Sequence, residues 1–296
     1  MLPDPPADRS PADLLAFGFI HLDKPPGPSA HQVAGWVRDM TGQERAAHAG
    51  TLDPKVTGSL PLLLGRATRA ARVFDGLGKE YITVLELQGP PPADLEAVLE
   101  AFEGEVYQTP PRKSAVVRER RVRRIHALDI LERDGRQVLL RVRCESGTYV
   151  RKLCHDLGLA LGTGAHMGDL RRSATGRFDD TSPVTLHDLA DALAFWREDG
   201  DAGPLREAVA PAERALAGLP RVVIAESAAR EVAHGAPVYA PGVLETRPAP
   251  HDGAQSETGD LVACTTPTGA AVALGPLTGD PDGDHGTVVD TDRVLV

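Results

Sequence analysis

One carboxylate in the stretch His48-Ala49-Gly50-Thr51-Leu52-Asp53-Pro54-Lys55-Val56-Thr57-Gly58-Ser59-Leu60-Pro61 is placed to do chemistry. Asp53 lies between a turn signal and a proline. Around it stand Gly50, Gly58 and Pro61, residue types that fix backbone shape. No second acid occurs within four residues on either side. A lone acid on a stiff loop suits a nucleophile or a base, whereas a metal site would gather several ligands. The plain alternative is an Asx-turn in which the carboxylate caps its own backbone.

Two further residues stand out. Arg151 falls in the first turn of a helix that begins after Thr148. A cation there meets the positive end of the macrodipole, so either an anion holds it or it is a solvated surface arginine. Tyr81 opens a strand, where a tyrosine makes a core or cross-strand contact or presents its ring to a ligand. Other chemistries fail on single residues. A Walker loop ending at Gly78-Lys79 needs glycine at position 73, which is Val73. A phosphatase of the Asp-x-Asp type needs an acid at position 55, which is Lys55. His155-Asp156 has no partner cluster for a metal.

The elements that must position these residues follow from periodicity. Phe17 to Asp23 reads as a strand leading into the stiff turn Lys24-Pro25-Pro26-Gly27-Pro28. Ser29 then caps a helix whose core face is Val33, Trp36, Val37 and Met40. Arg66 to Leu77 reads as a helix, and Glu80 to Gln88 as a strand with Tyr81, Thr83, Leu85 and Leu87 on one face. Asp94 to Phe102 is a short amphipathic helix. Val138, Leu140, Val142 and Cys144 alternate with polar positions as a strand. The following helix turns Val150, Leu153, Cys154, Leu157 and Leu161 inward. Beyond Gly218-Leu219-Pro220 come short strands at Val222–Ala225, Pro237–Tyr239, Leu261–Thr265, Ala271–Leu274 and Thr287–Val289, with one helix at Ser227–His234. Residues 1–16 read as a loose arm, and Glu245 to Thr258 as a patternless loop.

Composition frames the function. The 296 residues suffice for one large domain and a small one. No apolar run is long enough to span a bilayer, and the N-terminus lacks a signal-peptide pattern, so a cytoplasmic protein is expected. Cys144, Cys154 and Cys264 form neither a disulfide framework nor a zinc motif. A net charge of −10 opposes nucleic-acid binding in bulk, yet its distribution does not. Arg112 to Lys152 carries thirteen Lys or Arg against five acids, while Glu245 to Val296 carries nine acids against two arginines. With only five lysines against 27 arginines, the acidic chain suits a salt-filled cytoplasm.

The stretch from His48 to Pro61 resembles the catalytic loop of the TruB and dyskerin pseudouridine synthases. It matches their pattern H-x-G-T-L-D-P-x-x-x-G-x-L-P at every fixed position. Lys24-Pro25-Pro26-Gly27-Pro28-Ser29 resembles their K-P-x-G-x-[ST] motif, with Ala30 where the family often has Ser. Lys79-Glu80-Tyr81 matches K-x-Y, and Gly147 to Gly158 matches G-T-Y-[IV]-R-x-L-x-x-[DH]-[LI]-G. The segments Gly235 to Val243 and Gly259 to Val262 resemble the PUA domain, a small RNA-binding barrel.

The resemblance, which runs from Gly18 to Val296, implies a mixed α/β fold. A pseudouridine synthase catalytic domain with a central mixed sheet would span residues 17–218, and a β-barrel PUA domain residues 221–296. It implies no metal and no organic cofactor. Asp53 would be the catalytic acid, acting as nucleophile or as base on the sugar, and Arg151 its partner. Tyr81 would stack on the target base, Leu170 wall the uracil pocket, and His48 help hold the flipped nucleotide. RNA contacts are expected at Lys24, Arg112, Lys113, Arg118, Arg120 and Arg121. The arginine run after Pro110-Pro111 resembles the archaeal and eukaryotic dyskerin branch. That branch implies a guide RNA and small H/ACA core proteins as partners, with tRNA position 55 and rRNA as targets, and a monomer outside the ribonucleoprotein. The competing expectation is a catalytically silent RNA-binding scaffold, which would need none of Asp53, Tyr81 and Arg151.

Overall fold

Burial of every second residue builds the strands that frame the site. From Lys79 to Leu87 the odd-numbered side chains are buried and the even-numbered ones are not. Val138, Leu140, Val142 and Cys144 are likewise fully buried. The computed structural model describes residues 2–110, 117, 119–250 and 257–296.

The first part runs α1 (Pro11–Ala16), β1 (Phe17–Lys24), α2 (Ala30–Thr41), β2 (Ala46–His48), β3 (Thr57–Gly65), β4 (Lys79–Leu87) and α3 (Leu95–Ala101). It continues through β5 (Gly104–Gln108), β6 (Arg121–Asp134), β7 (Gln137–Cys144), α4 (Val150–Ala160), β8 (Ala165–Thr175) and β9 (Phe178–Asp179). It closes with α5 (Leu186–Ala194), α6 (Gly203–Ala208), β10 (Ala210–Pro211) and α7 (Glu213–Leu216). These strands make one ten-stranded mixed sheet in the order β10-β1-β3-β8-β4-β7-β6-β5, with β2 beside β3 and β9 beside β8. β1 and β3 are buried on both faces: Ile20 and Leu22 join the main core, and Phe17 and Phe19 a second one. Within the sheet β3 and β8 run parallel and pair only at Thr57–Arg171 and Gly58–Arg172. The Asp53 loop opens at that seam.

The C-terminal part holds β11 (Arg221–Ile224), α8 (Glu226–Val232), β12 (Val238–Tyr239), β13 (Val243–Arg247), β14 (Leu261–Thr265), β15 (Ala271–Pro276), β16 (Thr287–Val289) and β17 (Arg293–Val294). Five of its strands pair as β13-β11-β14-β15-β17, and β12 pairs with β16. This is the small β-rich module expected beyond Gly218.

Four expectations change. The loose arm is not loose: Ser10 caps α1, Leu14 and Leu15 are buried, and Arg9 is only 2% exposed. Its guanidinium meets both carboxylate oxygens of Glu213 at 2.7 and 2.6 Å. Trp36 is 47% exposed, because α2 buries its small residues Ala30 and Ala34 together with Val33 and Val37. Arg66–Phe74 is a 3-10 helix, in keeping with buried Ala67, Ala70 and Val73 spaced three apart. Glu245, Thr246 and Arg247 pair with Val223, Val222 and Arg221 as part of edge strand β13. Its exposed side chains carry no alternation, so only the backbone reveals it. Residues 251–256 of the expected loop lie outside the described residues.

Candidate active site

Asp53 sits at the tip of a loop whose two apolar feet, Leu52 and Val56, are buried. The tip is a turn closed by the Val56 amide, which donates to the Asp53 carbonyl at 3.0 Å. The carboxylate itself is 54% exposed and ion-paired to the half-exposed Arg151, whose Nη2 donates to Oδ2. Arg151 is presented by the first turn of α4. The start of that helix is pinned by Gln108, which accepts from the Tyr149 amide at 2.9 Å and donates to the Tyr149 carbonyl at 3.2 Å. An exposed carboxylate aimed by a guanidinium can approach a sugar carbon or accept a proton from it.

Two buried cations clamp the loop from below. Lys24 is fully buried and donates from Nζ to the Pro54 carbonyl at 3.0 Å and the Pro25 carbonyl at 2.8 Å. The Gly27 amide reaches the same Pro54 oxygen at 2.8 Å. Burial lowers the Lys24 pKa, against the opposing pull of Asp53. Lys24 is therefore a loop anchor, and its expected place on an RNA-binding surface is corrected: its ammonium has no access to a phosphate. Arg172 is also buried, with Nε donating to the Ser59 carbonyl at 2.8 Å. Its Nη2 donates to the Ala49 and Gly50 carbonyls at 3.4 and 3.3 Å. Gly50 has φ +80°, a conformation that favours glycine, and a Cβ there would lie a tight 3.2 Å from Arg172 Nη1.

Tyr81 is buried on β4, with its hydroxyl beside the Arg172 guanidinium. Burial raises the pKa of its hydroxyl. Burial alone also lowers that of Arg172, against the pull of Tyr81. Leu170 lies on β8 opposite Thr83, half-buried against the main core. His48 ends β2 and lines a cavity of about 290 Å³ with His31, Ala34, Gly35, Arg38, Ala46 and Ala47. Its pKa is lowered by burial first, then by His31 and Arg172, and among the described residues its buried Nδ1 has no hydrogen-bond partner.

Asp53 and Arg151 are thus brought into contact, and Tyr81 reaches the loop through Arg172. Of the basic run, Arg112, Lys113 and Arg118 lie outside the described residues. Arg120 covers the exposed Tyr107 ring at 5.8 Å, and Arg121 donates to the Val117 carbonyl at 3.2 Å. Both stand at the start of β6, separated from β3 in the sheet by β8, β4 and β7. Sequence reading missed Arg172 and Gln108. Nothing in the sequence separates Arg172 from its neighbour Arg171, which pairs instead with Asp23 and Asp180 at 2.9 and 2.8 Å.

The likeness to known proteins agrees with this geometry. Residues 38–91 and 88–150 match the TruB family pseudouridylate synthase N-terminal domain. Residues 151–217 match the tRNA pseudouridylate synthase B C-terminal domain, and residues 220–278 the PUA domain. A probable tRNA pseudouridine synthase B of Haloarcula marismortui is 65% identical over 292 residues, 99% of this chain and 93% of that protein. Another, from Methanopyrus kandleri, is 46% identical over 297 residues, 99% of this chain and 86% of that one. The crystal structure of a Cbf5-Nop10-Gar1 complex superposes with a TM-score of 0.91 and 42% identity, covering 100% of this chain and 90% of the matched chain. The structure of an H/ACA ribonucleoprotein bound to a substrate RNA containing 2′-deoxyuridine gives 0.90 and 40%, with the same coverage.

Fold and relatives together define an RNA pseudouridine synthase, an isomerase of uridine. The chain belongs to the TruB family of these enzymes and carries a PUA domain.

Proposed function

We propose that this synthase isomerises uridine in tRNA, at position 55, and/or in rRNA as the catalytic subunit of an H/ACA guide ribonucleoprotein, with Asp53 as the catalytic residue. The observation that carries the reading is the exposed Asp53–Arg151 ion pair on a loop whose backbone is clamped from beneath. The reaction breaks the bond between uracil nitrogen and the ribose, turns the ring, and rejoins it through carbon. Asp53 acts on the ribose, as nucleophile or as base, while Arg151 holds it at the angle of approach. The base must leave its stack at a cost of a few kcal/mol. Stacking on an aromatic returns about 1–3 kcal/mol, the role we give Tyr81. Leu170 walls the pocket, and His48 holds the flipped nucleotide beside the cavity under α2.

The targets and partners are inferred from relatives. Close ones are named as probable tRNA pseudouridine synthases, and the matched structures include Nop10 and Gar1. The chain works in the cytoplasm; no helix among the described residues is long and apolar enough to cross a membrane. Outside the ribonucleoprotein it is a monomer. We place the PUA domain at residues 221–296, around the match at 220–278, and assign to it the holding of a structured RNA end. The deciding experiment assays purified protein on a tRNA transcript, with and without a guide RNA and the small core proteins. Pseudouridine at tRNA position 55 from protein alone, lost in Asp53→Asn with RNA affinity kept within about threefold, supports the whole reading. Turnover by Asp53→Asn removes the assigned acid. Activity only with a guide removes the tRNA role and leaves the H/ACA one.

A further inference from the structure

Three separate parts of the chain meet at Glu213, far along the sequence from the Asp53 loop. Arg9, almost fully buried, donates from both terminal nitrogens to the two carboxylate oxygens of Glu213. The same Oε1 accepts from the Ala271 amide of β15, in the PUA domain, at 2.9 Å. One carboxylate therefore ties the N-terminal segment, helix α7 of the catalytic domain and the PUA sheet together. Arg9 is itself held from two sides, since its guanidinium covers the Phe17 ring at 5.2 Å and Arg206 donates to its carbonyl at 2.8 Å.

Other contacts close the same seam. Leu2 packs against the PUA core, so the N-terminal segment reaches from that core, past Glu213, to Leu14 and Leu15 in the catalytic core. Arg69 donates to the Val294 carbonyl at 2.9 Å, and Arg72 is ion-paired with Asp292. Between these clamps Phe17, Ala215 and Leu216 share one apolar cluster with Ala263, Ala271, Leu274 and Leu295. An apolar cluster is non-directional and tolerates sliding, whereas a bidentate pair with a third bond fixes an angle. The buried directional contact of this joint is Glu213, with Arg69 and Arg72 as more exposed ones beside it.

We propose that Glu213, held by Arg9, is a positioning residue that fixes the PUA domain's orientation to the Asp53 pocket, so that an RNA engaging both is presented in one register. The inference rests on the reading of the PUA domain as the holder of a structured RNA end. It makes Glu213 a determinant of which RNAs are used, with no part in the chemistry at Asp53.

The test compares two substrates, a full-length tRNA transcript and an isolated stem–loop carrying the same target uridine. Wild type is expected to show a lower KM for the full transcript. Glu213→Ala and Arg9→Met should raise KM for the full transcript at least tenfold, toward the stem–loop value. Their kcat on either RNA, and KM for the stem–loop, should change less than twofold. Arg9→Lys, which keeps the charge and one bond, should restore part of the preference. If Glu213→Ala does not fold, Arg72→Ala at the more exposed clamp carries the same readout. Folded variants that keep the wild-type preference, or that lose activity equally on both RNAs, overturn the proposal. A wild type that treats the two RNAs alike overturns both the PUA reading and the joint built on it, while inactivity on both RNAs counts against the tRNA reading first.

Discussion

At the scale of the residue, Arg151 tests what aims Asp53. Arg151→Ala should lower kcat by about 100-fold or more through misplacement of the carboxylate, with RNA affinity nearly unchanged. An effect confined to affinity would assign Arg151 to the RNA backbone instead. Lys79 offers a second test, in stability. It is buried, donates from Nζ to the Leu77 carbonyl at 2.6 Å, and has its pKa lowered to about 8 by burial and by Arg172, against Cys144 and Asp75. The unfolded chain titrates this group near its ordinary value of about 10.4. Between those two pH values the unfolded state holds more protons, so this group makes stability rise with pH across that window. Measured by urea unfolding, the wild type should gain about 3 kcal/mol on Lys79→Met between pH 7 and 11. A constant difference would mean that Lys79 keeps its charge when folded. The pairing of Asp53 with Arg151 was legible through the family motifs that both stretches match, whereas the residues alone left Arg151 either held by an anion or solvated. Lys24 was misjudged and Arg172 missed for one reason: a charged side chain is expected at the surface, and only tertiary packing brings backbone carbonyls to a buried one.

At the scale of the element, the site depends on the seam between β3 and β8. Gly58 has φ +100°, and a Cβ on it would lie 2.2 Å from the Arg172 carbonyl oxygen. Gly58→Ala must therefore push apart the two residue pairs that join these strands, in a backbone conformation that alanine already disfavours. A loss of about 3 kcal/mol is expected in chemical denaturation, with activity falling in the part that stays folded. A loss below about 1 kcal/mol would mean that the seam can open without harm. Strands with one polar face, such as β4 and β7, were legible because period two survives in the sequence. The capped start of α2 was legible too, since Ser29 and Gln32 form a capping box that residue types announce. Segments held by distant parts of the chain were not. β13 pairs through exposed residues, and the segment leading into α1 is fixed by the Arg9–Glu213 pair, whose partners stand two hundred residues apart in the chain.

At the scale of the whole molecule, salt should act in opposite directions on stability and on binding. The chain carries a net charge of −10, with acids concentrated from Glu245 onward and arginines gathered between Arg112 and Lys152. Raising KCl from 0.1 to 1 M shortens the screening length from about 10 to 3 Å and relieves repulsion among the acids, so Tm should rise. RNA affinity should fall over the same range, with a log–log slope of roughly 0.7 to 0.9 per phosphate neutralised. The basic residues do not contribute equally to that slope. Arg123 is paired with Glu145 at 3.0 Å and Arg124 with Glu105 at 3.3 Å, so each already has a carboxylate partner. Among the described residues Arg120 lies over the Tyr107 ring and Arg121 bonds a carbonyl, and neither has a carboxylate partner there, which leaves their charges available to phosphate. Replacing both Arg120 and Arg121 by alanine should thus lower the slope by roughly one to two, whereas the Arg124→Ala slope should stay near wild type. Filter binding of a tRNA transcript at four or five KCl concentrations measures all three slopes. An unchanged slope in the double variant would place the phosphate contacts away from the start of β6, and a large drop in Arg124→Ala would mean that RNA displaces Glu105 from its arginine.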